Sequence, residues 1–173
     1  ALALARELAG LMDEAERAEL DLPAALEKAA EAAHAEHWQA TLRFLEIVTR
    51  AWPAWLEENG LVNPAARQVA LLRAQARAWE ENPPAEPVWV AGTTAGIPAV
   101  AGLLKVVVGL PRGQVVLPGL DFGLSEAAWQ KLEESHPQAG LCALLRRLGA
   151  ARGDVERWEE APAVPDGGVP AGR

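Results

Sequence analysis

The sequence predicts an α/β protein in which a helical first half is followed by a small parallel sheet. Alanine, leucine, glutamate and arginine dominate residues 1–82, and these residue types are strong helix formers. Two short apolar runs bounded by proline and glycine, at 87–91 and 114–117, are typical of buried strands. A helical pattern separates the two runs. A strand–helix–strand order makes the two strands parallel, so the sequence predicts a βαβ unit.

The overall composition is that of a globular chain. It has 173 residues, 50% of them hydrophobic, which is enough for one domain with a core or for two small lobes. The aliphatic content excludes wholesale disorder, and the single Cys142 excludes an internal disulfide or a cysteine-based cluster. No apolar run approaches the ~20 residues of a membrane span. The chain starts at Ala1 with no recognisable signal peptide, so we expect a cytoplasmic part of a longer protein.

Residues 1–82 are expected to form a helical subdomain. Asp21 precedes Leu22-Pro23 as a helix cap, and Pro53 is expected to kink or split a long helical pattern because it lacks a backbone donor. Asn63 followed by Pro64 predicts another helix start, with Asn63 as the N-cap. The side chains of that helix expected to face inward are Val69, Leu72, Ala76 and Trp79.

Residues 83–160 are expected to form the α/β lobe, and the Pro/Gly-rich residues 161–173 a tail. After the βαβ unit, Ser125 is predicted to cap one helix, and another is expected between Pro137 and Gly149. A parallel pair of strands normally has neighbours in a larger sheet. We therefore expect this lobe to belong to a larger α/β domain.

Most of the seven tryptophans fall on apolar faces, which predicts a role in the core or between lobes rather than in stacking on bases. Cys142 lies on an apolar helical stripe and is predicted to be buried. The tryptophans concerned are Trp38, Trp52, Trp55, Trp79, Trp89 and Trp129.

Charge argues against nonspecific binding to nucleic acid, because 24 acidic and 16 basic residues give a net charge of −8. Residues 1–82 carry 14 acidic and 8 basic residues and residues 83–173 carry 10 and 8, so any phosphate contact is expected in the second half. His34 and His37 share a helix face, but a zinc site needs three or four ligands and no further histidine or cysteine lies nearby. We therefore do not expect a metal site at His34 and His37.

The loop Gly92–Gly96 follows a strand and precedes a helix, where backbone amides can bind an anion. It lacks the lysine and hydroxyl of a nucleotide P-loop, so we expect a tight connection with threonine capping and no ATP binding. Asp121 follows the second strand, where ligands of open α/β sheets bind. No second carboxylate is spaced to make a catalytic pair with it, so Asp121 is expected to order its loop. The chain is predicted not to be an enzyme.

The run Pro87–Ala99 (PVWVAGTTAGIPA) resembles a segment of AddB, the second subunit of the bacterial AddAB helicase–nuclease that repairs double-strand breaks. The similarity spans about residues 60–158. Thr93 stands where that pattern has serine, and Ala95-Gly96 where it has Gly-Ser. The similarity continues through further collinear motifs: Val115–Asp121, Trp129, His136–Gln138 with Gly140-Leu141, Leu148-Gly149, Asp154-Val155 and Trp158.

This resemblance implies a helicase-like lobe that no longer hydrolyses ATP, because Ala91-Gly92 stands where an active helicase has its Walker B acidic pair. It implies an AddA-type partner subunit and DNA as partners of the full complex. A nuclease domain and an iron–sulfur cluster are implied for the parent protein outside these residues, and no cofactor is expected within them. The candidate DNA-binding residues are Gly92, Thr93, Thr94, Arg112, Gly119, Asp121, His136 and Gln138.

A second function remains open from the sequence. The chain could be an independent module that binds a small molecule or nucleotide through the Gly92–Gly96 loop.

Overall fold

The computed structural model describes residues 2–32 and 45–157 and has a mixed α/β architecture, as predicted. Its helices are α1 (Leu2–Arg17), α2 (Leu22–Ala32), a π-helical turn (Ile47–Ala51), α3 (Trp52–Glu58), α4 (Pro64–Glu81), α5 (Pro98–Gly109), α6 (Glu126–Trp129), α7 (Ala139–Leu148) and a 3₁₀ turn (Arg152–Asp154). The strands are β1 (Val88–Ala91) and β2 (Gly113–Val116). Within the described ranges, no helix is long and apolar enough to cross a bilayer.

The two strands pair in parallel, which confirms the predicted βαβ unit. Val88 is in register with Gly113 and Ala91 with Val116. The Val88 N–H extends the ladder by donating to Arg112 O at 3.0 Å. Helix α5 joins the strands and packs against both of them.

Two contiguous apolar clusters form the core of the α/β lobe. The first surrounds Leu104 of α5 and Leu144 of α7, each 1% exposed, and includes Val90 and Val115 from the inner face of the sheet. The second surrounds Trp129 and contains the buried residues Leu141, Cys142 and Leu145. Leu117, directly after β2, packs against both clusters. The predicted burial of Cys142 is confirmed.

The prediction of core tryptophans holds for Trp129, which is 5% exposed, and Trp79 is half-buried. It is wrong for Trp52, Trp55 and Trp89, which are 41%, 46% and 55% exposed. Strand β1 alternates between half-buried and exposed residues, so the inner face takes Val90 while Trp89 lies on the other face. Replacing Trp89 by alanine is therefore expected to cost less than the 3–5 kcal/mol typical of a buried tryptophan.

The predicted disruption at Pro53 takes the form of the π-helical turn Ile47–Ala51, which directly precedes Trp52-Pro53. Proline has no N–H and its ring crowds the preceding turn, and a π-bulge is a common way for a helix to accommodate an interruption of its ladder. The predicted helical pattern around Trp38, together with His34, His37, Trp158 and the tail 161–173, lies outside the described residues.

Helix α4 begins at Pro64 as predicted, but Asn63 does not cap it with its own side chain. The cap comes from α1, where Glu16 Oε2 accepts the Ala66 N–H at 3.1 Å and Glu16 Oε1 accepts from Asn63 Nδ2 at 2.7 Å. A carboxylate at a helix N-terminus satisfies unpaired amides and matches the helix dipole. Glu16 therefore fastens α4 to α1.

Helix α4 connects the two halves of the chain. It packs against α1 on one side and against α5 on the other. Near its middle, Arg73 Nη2 lies 2.6 Å from Glu19 Oε1 of the turn that follows α1. The four side chains predicted to face inward, Val69, Leu72, Ala76 and Trp79, are all half-buried.

Gly113 is required where α5 passes into β2. A Cβ built at this position would collide with the Val107 carbonyl oxygen and lie 2.9 Å from Leu110 Cβ. Gly113→Ala is expected to lower the free energy of unfolding by about 1–3 kcal/mol, the usual cost of overpacking. Urea denaturation of the purified chain measures this change.

The matched control is Gly102→Ala in the interior of α5, where a Cβ meets nothing within 4 Å. This substitution is expected to stabilise the chain by up to about 1 kcal/mol, because alanine favours the helix over glycine. Equal effects of the two substitutions would contradict the assigned close approach at Gly113.

Glu16→Ala is expected to destabilise the contact between α1 and α4 by about 1–2 kcal/mol, because the Ala66 N–H loses its acceptor. Urea denaturation is again the measurement. Glu14→Ala, at an exposed position of the same helix, serves as the control and should change stability by less than about 0.5 kcal/mol. A similar loss in both variants would rule out a capping role for Glu16.

Candidate functional site at the carboxyl edge of the strands

Most of the candidate residues gather where β1 and β2 end. Loop 92–97 follows β1 and leads into α5, and loop 117–125 follows β2. The start of α7 reaches the same edge, because a Cβ at Gly140 would lie 3.8 Å from Thr94 Cβ. The structure therefore places Gly92, Thr94 and Gly140 around one edge of the sheet.

Loop 92–97 is held by its own backbone and by Thr93. Gly92 has φ +77°, which only glycine adopts without strain. Thr93 Oγ1 accepts the Ala95 N–H at 3.0 Å, and Ala95, at φ +48°, is buried in the core. The N-cap of α5 is Ile97, which has no side-chain cap. The predicted threonine cap of the helix is therefore wrong, and Thr93 orders the loop instead.

The loop after β2 is organised by Asp121 and Gln138. Asp121 Oδ1 accepts the Gly123 N–H at 2.6 Å, which confirms the expected loop-ordering role of this aspartate. Gln138 Oε1 accepts the Asp121 N–H at 3.0 Å, while Gln138 Nε2 donates to Gly119 O at 2.9 Å. One side chain thus bridges two backbone groups of the loop and joins it to the start of α7.

His136 contacts the backbone of Gln138, the residue that bridges the loop. It is half-buried, and its Nδ1 accepts the Gln138 N–H at 3.1 Å across Pro137. This bond caps the turn at Pro137 and helps to orient the side chain of Gln138.

Arg112 lies at the opposite edge of the sheet. It immediately precedes Gly113, the first residue of β2, and its Nη1 donates to Ala85 O at 3.1 Å, ahead of β1. Because the strands are parallel, residues before both strands share the amino edge. Arg112, one of the candidate DNA-binding residues, therefore lies away from the candidates at the carboxyl edge.

Among the described residues, Arg152 and Arg157 are cations that lie near this edge, and the sequence reasoning missed both of them. Arg152 Nη1 donates to Asp121 O at 3.3 Å, and its guanidinium lies 3.4 Å from Glu126 Oε2 and 5.1 Å from the centre of the Trp129 ring. No local sequence motif indicates that Arg152 contacts the Asp121 loop, because the two residues are 31 positions apart in the chain.

Arg157 is the more accessible of the two cations. Its guanidinium lies 4.7 Å from the centre of the Phe122 ring, in the loop that carries Asp121. Arg157 is exposed, whereas the Arg152 side chain is 13% exposed and is paired with Glu126. Arg157 and Phe122 line one end of an open groove of about 820 Å³ that runs beside β2.

The carboxyl edge presents backbone amides, threonine hydroxyls and the starts of two helices. Neither α5 nor α7 has an acidic residue in its first turn, so neither helix places a carboxylate of its own at the positive end of its dipole. Such an arrangement can position a phosphate without breaking a bond. In the part of the chain that the structure describes, no group of three or more His, Cys, Asp or Glu side chains could hold a metal ion.

Comparison of the chain with protein-family models, with curated proteins and with solved structures finds no match.

Gln138→Ala is expected to release the loop that contains Asp121, because the Asp121 N–H and the Gly119 carbonyl both lose their partner. A cost of about 0.5–1.5 kcal/mol corresponds to hydrogen exchange at the Asp121 amide that is roughly 2- to 12-fold faster. Gln68→Ala makes the same chemical change on the exposed face of α4 and should leave that exchange unaltered. Unchanged exchange at Asp121 in Gln138→Ala would show that the bridge does not hold the loop.

Proposed function

We propose that this chain is a non-catalytic lobe of an AddB-type DNA-repair helicase–nuclease subunit, with a structural and DNA-guiding role. The observation that carries the proposal is the convergence of the Gly92–Gly96 loop, the Asp121 loop and the starts of α5 and α7 at one edge of a parallel βαβ unit. In open α/β sheets, ligands bind at this edge. The collinear similarity over about residues 60–158 supports the assignment to that type of subunit.

The chemistry of the edge supports guidance of DNA rather than catalysis. Ala91-Gly92 supplies no carboxylate for magnesium, and the loop that follows has no lysine for a nucleotide phosphate. The Thr93 hydroxyl oxygen accepts the Ala95 N–H, which leaves the hydroxyl hydrogen for donation to another acceptor, and Thr94 is exposed. Donors of this kind position a phosphate backbone without reading base sequence.

The net charge of −8 limits what the lobe does alone. Counterion release needs several phosphate contacts by cations. Among the residues that the structure describes, the exposed cation stacked at this edge is Arg157, over Phe122. In the proposal, DNA is held mainly by basic surfaces of the full cytoplasmic complex with an AddA-type subunit, and this lobe steers its path.

Replacing Thr93 and Thr94 by alanine in the intact complex is expected to impair DNA processing by severalfold while the lobe stays folded. The reason is the loss of both hydroxyl donors from the edge. The measurement is degradation of linear duplex DNA together with thermal melting of the complex. The control is the double serine variant, which keeps both hydroxyls and should retain activity.

Unchanged processing in the double alanine variant would reduce the Gly92–Gly96 loop to a connector and overturn the DNA-guiding role. Saturable nucleotide binding by the isolated chain, lost in the same variant, would favour the alternative of a small-molecule-binding module.

The isolated chain is expected to bind single-stranded DNA with a Kd weaker than about 10 μM at physiological salt, in the range of weak nonspecific binding. The net negative charge is the reason. Fluorescence anisotropy over a salt titration measures both affinity and slope. Nanomolar affinity with a steep salt dependence would mean that the lobe itself is a principal DNA-binding element.

A further inference from the structure

Strand β2 has an open edge in the part of the chain that the structure describes. The sheet there consists of β1 and β2, so β1 covers one side of β2. The Val88 N–H donates to Arg112 O at 3.0 Å, and the Gly92 N–H donates to Val116 O at 3.4 Å. The bonding groups of a strand alternate between its two sides, so these two bonds fix which groups of β2 face β1.

The main-chain groups of Val115 point away from β1. By the same alternation, the Gln114 and Val116 amides face β1, while the N–H and C=O of Val115 lie on the open side. Neither of these two groups has a hydrogen-bond partner among the described residues. Unpaired main-chain groups along a strand edge are a template for pairing with another extended chain. The hydrogen-bonding chemistry of this edge is therefore matched by a strand.

The groove beside β2 lies along this open side. Every residue from Gly113 to Leu117 lines it, whereas no residue of β1 does. The lining also includes Val108 at the end of α5 and Leu145 and Leu148 of α7, and the segment Asp154–Arg157 completes it. An extended chain in the groove would have β2 beside it and apolar helix side chains against one of its faces.

The part of the groove formed by the sheet and the helices is uncharged. Strand β2 and helices α5 and α7 contribute no charged side chain to the lining. The charged residues of the lining follow β2 or α7 in the chain, and they are Asp121, Asp154, Glu156 and Arg157. A phosphate backbone would meet no cation along β2, whereas apolar side chains at alternate positions of a strand would meet apolar surface.

We propose that the open edge of β2 is a docking site for an extended apolar segment of a partner protein, which joins the sheet as a third strand. Main-chain bonds to Val115 supply affinity in this mode of recognition, and alternate side chains packed on Val108 and Leu148 supply specificity. Residues 158–173 of this chain are a poor strand to fill the groove, because they include Pro162, Pro165 and Pro170. The proposal does not depend on the DNA-guiding role.

Amide hydrogen exchange of the free chain tests whether the edge is open. The Val115 amide is expected to exchange faster than the Gln114 and Val116 amides, because those two pair with β1. Exchange at Val115 as slow as at its two neighbours would show that the edge is already covered and would overturn the proposal. Faster exchange at Val115 after deletion of residues 158–173 would also overturn it, by assigning the edge to the chain's own tail.

A synthetic peptide tests whether the edge accepts a strand. The probe is a capped heptapeptide in which valine and threonine alternate, and its control is the same peptide with every amide N-methylated. At about ten times its Kd, the probe should slow exchange at Val115 about tenfold and leave Gln114 and Val116 unchanged. The N-methylated peptide keeps the side chains but cannot donate, so it should leave exchange at Val115 unaltered.

Two lysine substitutions locate the site by isothermal titration with the probe peptide. Val108 and Leu71 are both exposed apolar side chains of helices, at 51% and 58% exposure, but of the two it is Val108 that lines the groove. Because lysine at a strand edge opposes pairing with a further strand, Val108→Lys should weaken binding about tenfold or more. Leu71→Lys is the matched control and should bind normally.

Absence of binding by the probe peptide, or equal binding of the N-methylated control, would overturn the proposal. Equal affinity in Val108→Lys and Leu71→Lys would overturn it too, since the peptide would then bind elsewhere. Protection of the Val115 amide that rises with the concentration of the chain alone would assign the edge to a second copy and would equally contradict a partner strand.

Discussion

The burial of helix α5 is the interaction on which the α/β lobe depends. Leu104 and Val107 of this helix are 1% and 0% exposed, and α5 packs against α4, α7 and both strands. A pair of short parallel strands is not stable alone, so the sheet needs an apolar helix on its inner face. Dense packing also explains why β2 starts with Gly113, because a larger residue would strike the end of α5.

The geometry of the carboxyl edge follows from this packing. With α5 and α7 in place, their first turns reach the ends of β1 and β2, and Gln138 comes within hydrogen-bond distance of the loop after β2. Side chains then satisfy the backbone groups of both loops, through Thr93 in one and Asp121 in the other. The edge is therefore an ordered surface that presents amides and hydroxyls.

The sequence by itself determined the order and type of the elements, because local signals carry that information. Apolar runs, helix-forming composition and the proline of Asn63-Pro64 correctly predicted the parallel βαβ unit and the start of α4. The burial of Trp129 and Cys142 followed from the apolar patterns around them. Asp121 ordered its own loop through a bond to Gly123, two positions along the chain, which is within the reach of local reasoning.

Only the tertiary structure decided which apolar faces are covered and which distant side chains meet. Periodicity assigns Trp52 and Trp89 to faces, but whether another element packs on a face depends on residues far away in the chain. Glu16 caps a helix that begins 48 positions later, and Arg152 reaches Asp121 from 31 positions away, while Arg112, nearer in sequence, lies at the wrong edge. Such contacts arise from the packing of helices on the sheet, and they cannot be predicted from how far apart the residues are in the sequence.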